Sequence, residues 1–135
     1  VQTCALPICA PLSDSTAVLL VDSLGELMSF YAAADVAFVG GSLLPIGGHN
    51  LLEPAALGRP VLTGPHHFSS EAVSRLLLDA GAVQLVHDAQ DLAHELAALL
   101  GSAERRRAMG AAGRAVLAAN RGALDRLLTL VEPLL

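Results

Sequence analysis

At 135 residues with 53% hydrophobic content, the chain is long enough to bury one core and too short for two ordinary domains. A net charge of −5, eight basic residues that are all Arg, a single Tyr and no Trp supply neither the basic field nor the stacking platform of a nucleic-acid binder. Mean hydropathy is +0.56, yet Gly, Asp, Pro or Arg interrupts every apolar run before the ~18 residues of a membrane span, so the apolar residues point to a buried core.

The opening segment has no initiator Met, no basic n-region and no long apolar stretch, so it does not read as a signal peptide. Cys4 and Cys9 lack a CxxC spacing or nearby His and suggest neither a disulfide scaffold nor a zinc site. The first eight residues look like a translated adapter sequence. Residues 1–15 are therefore expected to be an artefactual or disordered leader to an N-terminally truncated domain spanning 16–135.

Thr16 to Val21 is a short apolar, partly β-branched run ended by Asp22-Ser23, the pattern of a strand buried on both faces. A helix follows over Gly25 to Ala34, with Leu27, Phe30, Tyr31 and Ala34 at helical spacing and Ser23 and Glu26 placed as a cap pair. Val36 to Val39 predicts a second strand, and Gly40 to Gly48 a glycine-rich loop. A helix from Asn50 is closed by Gly58, with Pro54 near its first turn. Pro60 to Thr63 is a third strand halted by Gly64-Pro65. Ser69 or Ser70 opens a helix to Asp79, and Ala82 to Val86 is a fourth strand. Helices then run over Asp91–Leu100, Ser102 or Ala103 to about Asn120, and Gly122–Leu135, the last an amphipathic tail carrying Leu124, Leu127, Leu128 and Val131.

Strands alternating with helices imply an α/β fold with a parallel sheet of about four strands flanked by helices and a helical C-terminal tail. Ligands in such sheets bind beyond the C-terminal ends of the strands. The Gly40–Pro54 block occupies that place. It sets two glycine pairs, His49, Asn50 and Glu53 between a buried strand and a helix, where backbone N–H groups of the helix's first turn attract anions. The spacing is neither GxGxxG nor a P-loop, and the absence of Lys removes the P-loop cation.

Spacing alone favours a capping box for Glu53, with Asn50 as the cap, over a carboxylate that accepts the hydroxyls of a ribose. His49 can hold loop carbonyls or donate to a phosphate oxygen, and its place beside two glycines leans toward the ligand. Gly64, Pro65 and His66 follow the third strand and so share the sheet edge with Gly40–His49. The adjacent His66 and His67 do not suit a two-His metal site, and Phe68 reads as a hydrophobic staple. Ser23 and Glu26 admit capping or contact with a nucleotide. His87, His94 and the Arg105-Arg106-Arg107 run read as solvated.

Four blocks together carry a resemblance: Val21-Asp22-Ser23-Leu24-Gly25-Glu26-Leu27, Tyr31 through Ser42, Gly47-Gly48-His49-Asn50-Leu51-Leu52-Glu53-Pro54, and Gly64-Pro65-His66. They closely resemble the C-terminal domain of 3-deoxy-D-manno-octulosonic acid (Kdo) transferases, and the likeness continues through Asn120-Arg121-Gly122-Ala123-Leu124. The resemblance implies a Rossmann-like, nucleotide-sugar-binding domain of a GT-B glycosyltransferase. It implies CMP-Kdo as donor and a lipid A precursor as acceptor, at the cytoplasmic face of the inner membrane, with no cofactor and no metal. Carried over, Glu53 would bind the ribose, and Gly47, Gly48, His49 and Asn50 would surround the phosphate and sugar carboxylate. Gly41 and Ser42 would line the donor pocket with Gly64, Pro65 and His66, and Ser23, Leu24, Gly25 and Glu26 would approach the nucleotide. The base, acceptor groove and membrane-facing surface of the family belong to an N-terminal domain, so no catalytic base is assigned. A lone chain of this kind is expected to expose a sheet edge, bind CMP weakly at best and transfer no sugar. A GT-B enzyme using a UDP-sugar and a non-catalytic nucleotide-binding or interaction module are the competing readings.

Overall fold

The computed structural model describes residues 3–5, 16–22, 24–67 and 71–122. Along them run β1 (Thr3–Ala5), β2 (Val18–Leu20), α1 (Leu27–Ala33), β3 (Ala37–Val39) and α2 (Leu52–Ala56), then β4 (Val61–Thr63), α3 (Glu71–Asp79), β5 (Val83–Leu85), α4 (Ala89–Gly101) and α5 (Ala103–Ala119). Phe68, Ser69, Ser70 and residues 123–135, including the expected amphipathic tail, lie outside the described residues.

All four expected strands form, and the α/β class with parallel strands holds. The three strands β3, β4 and β5 lie in that order in one parallel sheet, with Ala37 opposite Val61 and Val61 opposite Val83. The fourth, β2, departs from the expected arrangement. It pairs in parallel with β1, Thr3 opposite Val18, and not with β3. Part of the segment expected to be a leader thus supplies a strand partner, while Val18 and Leu20, expected to be buried on both faces, are 46% and 53% exposed because, among the described residues, only β1 pairs with this strand.

Alternation along β4 explains the layering. Successive side chains point to opposite faces of a sheet, and Val61 and Leu62 are both 0% exposed, so the central strand is covered on both sides. On one face Val39, Val61 and Val83 pack with Leu51 and Ala55 of the α2 region and Leu77 of α3, flanked by Val116 and Leu117 of α5. On the other, Leu62 and Val86 meet Leu99 of α4 and Met109 of α5. Phe38, the neighbour of Leu62 in register, remains 37% exposed, so cover on this face stops at β3.

Helix ends follow local chemistry. Asp88 accepts from the Asp91 N–H at 2.8 Å and Ser102 from the Arg105 N–H at 3.2 Å, satisfying donors that a helix start leaves without intrahelical partners. The start of α1 differs from expectation: Glu26 occupies the N-cap position with no side-chain cap bond, and Ser23 lies outside the described residues. Close contacts seat α5, since a Cβ on Gly113 would stand 3.2 Å from the Ala55 carbonyl oxygen.

Candidate functional site

Two loops leave the C-terminal edge of the three-stranded sheet, Gly40–Asn50 after β3 and Gly64–His67 after β4. Ser42 joins them. Its hydroxyl donates to the Val39 carbonyl at 2.8 Å and accepts from the Gly64 N–H at 2.8 Å, and the side chain is fully buried. The His66 N–H donates to the Ser42 carbonyl at 2.9 Å, so both backbone and side chain of one serine tie the loops. Thr63, also fully buried and opposite Val39 at the last pair of the ladder, sends a longer 3.4 Å bond to the same Val39 oxygen.

Close approach then dictates glycine at two positions. A Cβ on Gly64 would stand 2.3 Å from the Ser42 carbonyl oxygen, inside any tolerable contact. Gly48 has φ +71° and donates its N–H to the Gly41 carbonyl at 2.8 Å, closing the first loop on itself, and a Cβ there would meet the His66 oxygen at 3.2 Å. The His49 ring lies over Gly41, within 3.2 Å of where its Cβ would be. Gly41, Ser42, Gly48, His49, Gly64 and His66 are therefore neighbours at one edge, with Gly47 buried among them and Pro65 exposed. Ser42 shapes this surface from below, because its hydroxyl is already committed twice.

Glu53 differs from the capping-box expectation. The Asn50 carbonyl oxygen Oδ1 accepts from the Leu52 N–H at 3.0 Å, while its amide Nδ2 donates to Glu53 Oε1 at 3.1 Å. Leu51 takes the N-cap position without a side-chain bond. The carboxylate thus pairs with the Asn50 side chain, not its backbone N–H, and retains acceptor capacity. One N–H expected to attract anions, that of Leu52, is already held by Asn50.

Two contributors were missed by sequence reasoning. His67 Nδ1 donates to the Gly64 carbonyl at 3.0 Å, which places the proton on Nδ1 and leaves Nε2 unprotonated in the neutral ring. Tyr31 of α1 comes near Glu53, and its phenol is pushed above the ordinary 10.0 first by burial and then by the Glu53 charge. In sequence Tyr31 counted only as an apolar helix position. With one Tyr and no Trp in the chain, the phenolate absorbance band reports on it alone. We expect its midpoint above 10.0 and lower, though still raised, in Glu53→Gln. A raised folded pKa favours the neutral phenol, so its contribution is intact below 10.0 and lost as pH climbs through the folded value. Tyr31→Phe should flatten that alkaline loss, and an ordinary midpoint in the wild-type chain would contradict the placement.

Leu24, Gly25 and Glu26 stand apart from this cluster in their surroundings. Leu24 is 99% exposed, and the adjoining cavity of about 550 Å³ is lined by Leu19, Val21, Leu27 and Phe30 of the same stretch. His87 and His94 are exposed, as expected. Among the described residues no group of three or more His, Cys, Asp or Glu could hold a metal ion, and no helix is long and apolar enough to cross a membrane.

Residues 10–116 match the glycosyl transferases group 1 family. The chain belongs to that family. Among its relatives is the 3-deoxy-D-manno-octulosonic acid transferase of Haemophilus influenzae, 48% identical over 124 residues, which make up 91% of this chain and 29% of that protein. The Bordetella pertussis transferase of the same name is 46% identical over 115 residues, 85% of this chain and 27% of that protein. The chain therefore spans less than a third of the length of these relatives. Among solved structures, the C-terminal CMP-Kdo binding domain of WaaA from Acinetobacter baumannii superposes with a TM-score of 0.73 at 41% identity, covering 76% of this chain and 54% of that one. This group 1 glycosyl transferase chain is thus homologous to Kdo transferases over most of its length, and its α/β architecture is similar to that WaaA domain.

Proposed function

We propose that this chain is the donor-binding part of a transferase that moves Kdo from CMP-Kdo to a lipid A precursor. The observation that carries the reading is the paired-loop edge, where Gly41–Asn50 and Gly64–His67 are locked together beside a Glu53 carboxylate held out by Asn50. The likeness to a CMP-Kdo binding domain supports the choice of donor.

In this reading Glu53 accepts the ribose hydroxyls, and the backbone around Gly47–Asn50 faces the phosphate and sugar carboxylate. Leu24, Gly25 and Glu26 approach the nucleotide from the other loop, as does Ser23, and Pro65 and His66 close the pocket. The acceptor hydroxyl attacks the anomeric carbon with inversion while the bond to the phosphate oxygen breaks and CMP carries off the electron pair. A carboxylate base outside this chain takes the hydroxyl proton, and preorganised N–H donors here stabilise charge growing on the departing phosphate. The acceptor and the membrane surface are met by an N-terminal domain of the parent, working at the cytoplasmic face of the inner membrane. Residues 16–135 form the donor domain, with Thr3–Ala5 of the preceding segment paired to its first strand.

Titrating CMP and UDP separately into the chain tests the donor class by calorimetry. Weak, saturable CMP binding with UDP weaker still is the expected result, and UDP binding as tight or tighter supports the UDP-sugar alternative. Kdo transfer by this chain alone would overturn the division of labour, whereas a chimera with the N-terminal part of the Haemophilus influenzae relative should restore it.

A further inference from the structure

On the opposite edge of the sheet, where Asp35 precedes β3 and Pro60 precedes β4, a cavity of about 440 Å³ is lined by four arginines, Arg59, Arg106, Arg107 and Arg114. Half of the chain's eight basic residues thus converge on one concavity of a chain whose net charge is −5. Among the described residues, Asp35 is the one carboxylate in the lining.

The four guanidiniums are not equivalent. Arg106 Nη1 donates to the Leu99 and Leu100 carbonyls, at 2.7 Å each, capping the end of α4, and its Nε lies 3.7 Å from Asp35 Oδ1. Arg59 donates through Nη2 to the Ala32 carbonyl at the end of α1, while its buried Nε has no partner. Arg107 and Arg114 have no hydrogen-bond or ion-pair partner among the described residues. They lie seven residues apart on α5 and so share one helix face. Arg114 rests against Gly58, whose missing Cβ makes room for it, since that atom would fall 1.5 Å from Nη1.

Arginine runs are ordinarily solvated and spread their charge. Here like charges from two separate segments are gathered into a hollow, two of them anchored by helix-end carbonyls and two left with unused donors. Like charges held this close repel one another, and a bound anion offsets that repulsion. Guanidinium forks match the paired oxygens of a phosphate group, and Ala103 in the lining adds the positive end of the 17-residue α5.

We propose that this arginine hollow is a second anion site, distinct from the donor edge, that takes a phosphate-bearing ligand: the phosphate of a lipid head group or of a soluble compound. It does not rest on the donor assignment. The test follows the arginine side-chain and Gly58 amide resonances of the isotope-labelled chain during titration with pyrophosphate, against sodium chloride of matched ionic strength. Saturable shifts at Arg107, Arg114 and Gly58, weakened at least about tenfold in the Arg107→Gln, Arg114→Gln double variant, are expected. That variant leaves both helix-end bonds of Arg59 and Arg106, so its circular dichroism should match the wild type. Co-sedimentation with phosphatidylglycerol vesicles but not phosphatidylcholine vesicles, lost in the double variant, assigns the phosphate to a lipid. Pyrophosphate binding without co-sedimentation assigns it to a soluble ligand. The proposal fails if pyrophosphate and chloride shift the resonances alike and vesicles do not bind, or if the folded double variant binds as the wild type does.

Discussion

Gly64→Ala is expected to be the most destabilising single-methyl change at the candidate site. The new Cβ would lie 2.3 Å from the Ser42 carbonyl oxygen and 2.6 Å from the Leu43 nitrogen, both backbone atoms that no rotamer change can move aside. Forcing atoms into a packed interior costs about 1–3 kcal/mol. Parting the loops also breaks the buried Ser42 Oγ to Gly64 N–H bond, and leaving such groups unpaired costs roughly another 1–3 kcal/mol. The sum, on the order of 3 kcal/mol or more, is a large share of the stability of a small domain. Chemical denaturation would read it as a lower midpoint. Ser42→Ala removes the bond without the clash and should fall between Gly64→Ala and wild type. A wild-type midpoint for Gly64→Ala would show that the loops are not pinned in this way.

Glu53→Ala, in contrast, is expected to leave stability nearly unchanged and to weaken CMP binding strongly. Its bond to Asn50 Nδ2 is exposed, and exposed polar pairs of this kind contribute little to folding. Hydrogen bonds to a charged group contribute about 1.5–3 kcal/mol, which corresponds to a Kd roughly ten- to over a hundredfold weaker. Glu53→Gln keeps a partner for Asn50 and isolates the loss of charge. Calorimetric titration of CMP into the two variants and the wild type measures the effect. Equal affinities would remove Glu53 from the ribose-binding role and leave it as a partner of Asn50.

Much of the architecture was legible because its signals are local. Pro60-Val61-Leu62-Thr63, bounded by Arg59 and Gly64, reads as a buried strand from composition alone, and Val61 and Leu62 are indeed the centre of the two core faces. The positions of the two loops at one sheet edge follow from parallel connectivity. The site's internal wiring was not legible. Ser42 reaches Gly64 across 22 residues, and Asn50 takes Glu53 by its side chain where spacing alone suggested a backbone cap. Both choices depend on rotamers and on how close two segments come, which periodicity does not encode.

The Arg105-Arg106-Arg107 run shows the same limit most sharply. As a sequence it is a charged patch on a helix. In the fold, Arg105 pairs with Glu95 at 2.7 Å, Arg106 caps α4, and Arg107 turns toward Arg114 and the distant Arg59 at a common hollow. Hydrophobic period, glycine placement and helix-start residues therefore determined the order and class of the elements, since each acts through neighbours along the chain. Tertiary structure alone decided the partner of β2, the carboxylate geometry at Glu53 and the gathering of arginines, because these depend on distances between segments that only packing brings together.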